Sequence, residues 1–168
     1  MSPAGLAALV LLLPGAGVPP ARPVEHELPS FRITAPAGFR LSERNDCVRD
    51  PQVPPDYCYG LYRFEDGQGR WFQVLVDYPP TEASAHAYWT LAPTPEGDGI
   101  AIAAEEPLRR CPMTLAGDSG CGPQRGFRIA AWIELRGHHY LFGFGHERRR
   151  KGVDLGPFRD LVRSIRVR

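Results

Sequence analysis

The sequence predicts an α+β fold, an antiparallel β-sheet flanked by helices, on three observations. Apolar and polar positions alternate in short runs bounded by Gly and Pro, 18 of each among 168 residues, about twice an ordinary share. Several of these runs are separated by hairpin-length gaps. Two segments, 82–91 and 156–165, instead repeat apolar residues at helical spacing. The length suits a single domain. With 20 Lys+Arg against 19 Asp+Glu, a net charge of +1, the chain lacks the basic excess of a dedicated nucleic-acid binder. A charged fraction of 23% and an aromatic fraction of 10% exclude global disorder.

At the N-terminus, Leu6 to Leu13 is an unbroken apolar run followed by Pro14-Gly15-Ala16-Gly17. Its length suits a signal-peptide core and falls short of the roughly 20 apolar residues that span a bilayer, so no transmembrane span is expected. Residues 1–21 therefore read as a signal peptide and the start of a Pro-rich linker, and 22–168 as one disulfide-stapled domain, periplasmic or secreted.

Phe31 to Thr34 and Gly38 to Leu41 read as short strands around the turn Ala35-Pro36-Ala37-Gly38. Tyr57 to Phe64 and Trp71 to Tyr78 read as a hairpin across Glu65 to Gly69. In its second strand Phe72, Val74, Val76 and Tyr78 are expected on one face. Thr81 is a good N-cap for a helix over Glu82 to Leu91, and Ile100 to Ala104 reads as a strand. Phe127 to Leu135 and the residues after His138 form the clearest hairpin. A two-residue turn at Arg136-Gly137 sets Leu135 opposite His138, Ile133 opposite Tyr140, Ala131 opposite Phe142 and Ile129 opposite Phe144. On the other face Gly143 and Gly145 leave room for a close neighbour such as a helix. Asp154 or Gly156 is expected to cap a helix with Pro157 in its first turn and Phe158, Leu161, Val162 and Ile165 on one stripe. Ile165 to Arg168 can close as a strand.

The four cysteines fall in two clusters, Cys47 with Cys58 and Cys111 with Cys121. Spacings of 11 and 10 residues across loop-like stretches favour those two disulfides. Zinc would want pairs two to four residues apart, and neither spacing fits.

An opening Phe-x-Ile-x-x-Pro-x-Gly-Phe (Phe31, Ile33, Pro36, Gly38, Phe39) and an ending built on Phe158, Leu161, Val162, Ser164 and Ile165 resemble PsbP-like and DcrB-like extracytoplasmic domains. The resemblance implies an α/β/α sandwich with an aromatic hairpin before the last helix, and accessory or binding roles rather than catalysis. It brings no catalytic residue, and the paired disulfide loops depart from the family's pattern.

Three groups of residues invite chemical readings. Gly117-Asp118-Ser119-Gly120 with His86 echoes a serine-protease nucleophile loop, but Cys121 interrupts the pattern, and a disulfide-closed turn explains the same residues. His138, His139, His146 and Glu147 could ligate a metal. However, His138 and His146 end one strand about 26 Å apart at 3.3 Å per residue, and His139 opposite Glu134 is more simply a cross-strand pair. The run Arg148-Arg149-Arg150-Lys151 lies in a basic C-terminal stretch, net +5 over 146–168 against −4 for the rest. It could meet an unknown protein, a polysaccharide or an anionic envelope surface, though a basic turn is usually a solvated loop. No catalytic, cofactor or metal residue is assigned. The expectation is a non-catalytic extracytoplasmic binding or accessory domain. The alternatives are a hydrolase assembled from scattered residues such as Asp77, His86 and Glu134, or an envelope protein docking through its basic end.

Overall fold

A computed structural model of the chain describes residues 22–49, 51, 54, 56–78, 89–105, 127–146 and 154–168. Among these residues ten strands and one helix follow in order: β1 (Val24–Glu27), β2 (Phe31–Ala35), β3 (Arg40–Val48), β4 (Tyr59–Glu65), β5 (Arg70–Val76), β6 (Trp89–Pro93), β7 (Ile100–Glu105), β8 (Phe127–Leu135), β9 (His138–His146), α1 (Gly156–Ser164) and β10 (Arg166–Val167). A seven-stranded sheet has the order β3-β4-β5-β9-β8-β6-β7, antiparallel except where β6 runs parallel to β8. A three-stranded antiparallel sheet, β1-β2-β10, is the second unit. The antiparallel sheet expected from the alternation is present. A single helix accompanies it among the described residues, so the chain is mostly β there.

The main core lies between the two sheets and under α1. Phe31, Ile33 and Ala35 point one way from β2, while Tyr62, Phe64, Phe72, Val74, Ile133, Tyr140, Phe142 and Phe144 line one face of the large sheet. Edge-to-face contacts of Phe31 with Tyr62 (5.3 Å) and Tyr140 (6.1 Å) join the sheets. The helix buries Phe158, Leu161 and Val162, with Ile165 just beyond it, and Phe158 meets Phe144 at 5.2 Å. Ser164 Oγ accepts the Thr34 N–H at 3.0 Å, fixing the helix end to β2, and Arg159 holds both oxygens of Glu105 on β7 at 2.8 Å. Pro157 does stand in the first turn, but Leu155 occupies the cap position. The Asp154 carboxylate accepts the Gly156 N–H from one residue further back.

The β8–β9 hairpin has the expected register at all four pairs, from Leu135↔His138 to Ile129↔Phe144. Its turn residues Arg136 and Gly137 both take positive φ (56° and 78°), the backbone of a type I′ turn. Other elements differ from expectation for identifiable reasons. Phe31–Thr34 and Gly38–Leu41 do not pair with each other: the turn between them carries the chain from the small sheet to the large one, and β2 pairs with β1 and β10 instead. Val24–Glu27, within the expected linker, is an edge strand. The helix expected over Glu82 to Leu91 is not continued at its end, since Trp89, Thr90 and Leu91 are in β6; residues 82–88 lie outside the described set. There the burial alternates, with Trp89 and Leu91 in and Thr90 out, and Pro93 disfavours helix at Ala92.

The second face of the large sheet carries a smaller apolar cluster of Tyr59, Leu75 and Leu141, with Tyr57, Tyr78 and Trp132 packed against it. Tyr78 belongs here rather than with Phe72, Val74 and Val76, because Asp77 takes a positive φ of 59° and breaks the alternation. The space above Gly145 is filled not by a helix but by the Trp71 ring of the neighbouring strand, its directly opposed partner.

Candidate functional site

At one end of the molecule, where the small sheet meets β3, β4, β5 and β9, lies an open cleft of about 360 Å³. Pro29 and Ser30 line it from the turn before β2, Asp46 from β3, Cys58, Gly60 and Tyr62 from β4 and its approach, Val76 and Asp77 from the end of β5, His138 from the start of β9, and Arg168 from beyond β10.

Each wall has a local cause. Between Asn45 and Val48 the β3–β4 register shifts: Asp46 and Cys47 oppose the single residue Gly60, which makes a β-bulge. The bulge is clamped by the Cys47–Cys58 disulfide, whose Cα atoms are 5.0 Å apart. Gly60 has no side chain, and the Tyr62 ring lies over it; a Cβ there would stand 2.9 Å from that ring. Tyr62, buried as the floor of the cleft, donates its hydroxyl proton to Asp46 Oδ1 at 3.0 Å. Arg44 holds both Asp46 oxygens from behind, at 3.1 and 3.0 Å. The Arg44 hydrogen bonds foremost, against an opposing desolvation and with the Tyr62 bond added, keep the Asp46 carboxyl below its ordinary range. Burial foremost, and then the Asp46 contact, push the Tyr62 hydroxyl well above its ordinary value.

On the opposite wall Asp77 is fixed on all sides. Its N–H donates to the His139 carbonyl at 2.7 Å, and its own carbonyl accepts the Tyr57 hydroxyl. Its Oδ1 accepts the His139 N–H at 3.0 Å, and Oδ2 lies 2.8 Å from His138 Nδ1. At the third corner Arg168 N–H donates to the Ser30 carbonyl at 3.0 Å, and its guanidinium pairs with Glu27.

Of the residues singled out in the sequence, Cys47 and Cys58 are bonded as expected, while Cys111 and Cys121 lie outside the described residues. So do Arg148, Arg149, Arg150 and Lys151, and also His86, Ser119 and Glu147. His138 and His146 stand at opposite ends of β9, and His139 Nε2 faces Glu134 at 3.8 Å as a cross-strand pair. Asp77 is in the cleft, but Glu134 is not, and the histidine beside Asp77 is His138. Among the described residues no three His, Cys, Asp or Glu side chains come together to hold a metal. Sequence reading missed Asp46, Tyr62 and the Asp77–His138 pair. A signal for the last was available: once β5 and β9 are paired through Val76↔Tyr140, Asp77 at the end of one falls beside the start of the other.

Comparison with protein-family models, with curated proteins and with solved structures finds no match.

Proposed function

We propose that this chain is an extracytoplasmic, non-catalytic binding domain whose small ligand sits in the cleft between the two sheets. One observation carries the reading: polar side chains from six separate stretches of chain converge on a cavity of about 360 Å³, within the rough 300–1,000 Å³ of small-ligand sites. Export is supported by the apolar run at 6–13 and by the Cys47–Cys58 disulfide, a bond that persists in oxidising compartments. No helix of the described residues is long and apolar enough to cross a membrane. The sandwich architecture of PsbP-like and DcrB-like domains remains part of this proposal, supported by the antiparallel sheet with α1 packed across its core face. So does a second disulfide, Cys111–Cys121.

The test is a thermal-shift screen of small polar metabolites on the native protein and on Ser30→Phe, which fills the cleft mouth without removing a side-chain contact seen here. Ligands should raise the Tm of the native protein and leave the variant unmoved; equal shifts in both would place binding elsewhere.

The Asp77–His138 pair favours a second reading, a hydrolase using His138 as base, because a carboxylate-oriented imidazole is the usual form of such a group. Turnover of an ester, glycoside or phosphate substrate that His138→Gln abolishes would decide for it.

A further inference from the structure

Three of the cleft's exposed polar side chains, Asp46, Asp77 and His138, can present acceptors. Asp77, as a carboxylate, can only accept, so the proton shared at 2.8 Å belongs to His138 Nδ1. In the neutral ring that fixes the tautomer and leaves Nε2 with its lone pair, without a hydrogen-bond partner among the described residues. The imidazole cannot readily exchange roles, because Asp77 is itself held by His139, Tyr57 and a left-handed backbone of φ 59°. Strain of this kind persists only where the surroundings over-determine it. Across the cleft, the single proton of the Tyr62 hydroxyl is committed to Asp46. Asp46, Asp77 and His138 are each between 41% and 48% exposed at the side chain, open enough to meet a solute. Arg168 is the one cation lining the cleft among the described residues, and it is paired with Glu27. With their ion-pair partners counted, Asp46, Asp77 and Glu27 stand against Arg44 and Arg168, so one negative charge remains at the cleft.

Building on the binding reading above, we propose that the cleft takes a small, hydrogen-bond-donating ligand without negative charge, of the polyhydroxyl or amino-polyol class, with His138 Nε2 as an acceptor that reads it. Each ligand hydroxyl or ammonium would find an acceptor there, whereas an anionic group would meet Asp46, Asp77 and an imidazole lone pair together.

Three probes of one size and shape separate the possibilities: glucose, glucosamine and glucuronate, followed by amide and ring NMR shifts of the full chain. Glucosamine and glucose should give saturable shifts centred on His138, Asp46 and Gly60, and glucuronate none. In His138→Leu the favoured probes should bind about five- to tenfold more weakly, the effect of about one hydrogen bond. Asp77→Asn donates toward Nδ1 and so turns Nε2 into a donor; selectivity should move toward glucuronate, and much less so when His138→Leu is also present. A merely structural Asp77 would change Tm and leave selectivity alone. Tight binding of glucuronate by the native protein would overturn the ligand class while leaving the cleft as a binding site. Shifts mapping away from the cleft would overturn both, and the absence of any saturable shift with all three probes would overturn the ligand class.

Discussion

Replacing Gly145 by Ala tests the packing of the large sheet at its tightest point. An added Cβ would stand 2.3 Å from Trp71 Cζ2 and 2.4 Å from Cε2. Ordinary carbon contact begins near 3.4 Å, so the indole or the strand must retreat by about 1 Å. The indole is 6% exposed and has Arg63 over it at 5.0 Å, so there is little room for retreat. Overpacking of this kind costs about 1–3 kcal/mol, offset by about 0.4–1 kcal/mol because Ala restricts the unfolded chain more than Gly. The net expectation is a loss of about 1–2 kcal/mol, or roughly 2–8 °C in Tm for a domain of this size. With Trp71→Ala already present the clash is gone, and the same change should stabilise by a few tenths of a kcal/mol or more. Urea unfolding of the four proteins gives the coupling directly. An equal effect of Gly145→Ala in both backgrounds would refute the contact as the reason for the glycine.

Three further outcomes follow from particular residues. Cys47→Ser with Cys58→Ser opens a loop of 11 residues and should cost about 2–3 kcal/mol in denaturant unfolding, and it should also weaken ligand binding, since the bond clamps the bulge that presents Asp46. His26 has a buried Nε2 without a partner, and burial lowers its pKa from 6.5. The unfolded chain therefore takes up a proton first, so Tm should fall as pH drops below about 6.5, and His26→Phe should flatten that fall. For Tyr62, Tyr140 and Tyr57, desolvation by burial is the first cause raising each hydroxyl. In an ultraviolet titration these three should ionise above the ordinary value of about 10, with stability lost as pH rises past it; normal titration of all six tyrosines in the folded protein would contradict their burial.

The parts of the fold legible in the sequence are those set by local chemistry. Parity of alternation on both sides of Arg136-Gly137 admits one register, and a two-residue turn with positive φ at both positions locks it. The stripe Phe158, Leu161, Val162 and Ile165 likewise identifies its own buried face. Where sequence reading failed, a non-local fact decided. Tyr78 changes face because Asp77 is held left-handed by a strand some 60 residues away, and alternation alone cannot register that. Trp89–Pro93 is a strand because it lies beside β8 and β7, which override the local pattern of the preceding residues. The cleft was illegible for the same reason: Ser30, Asp46, Tyr62, Asp77, His138 and Arg168 converge only once the order of both sheets is known. The one cleft wall visible in advance was the disulfide, whose spacing is local.

The most direct test of the central claim is amide chemical-shift mapping of the full chain during titration with whichever metabolite raises its Tm. Saturable shifts are expected at Ser30, Asp46, Cys58, Gly60, Tyr62, Asp77, His138 and Arg168 alone, the residues at the junction of the two sheets. Shifts centred instead on Tyr59, Leu75, Trp132 and Leu141, on the other face of the large sheet, would show that the cleft is not where this protein binds.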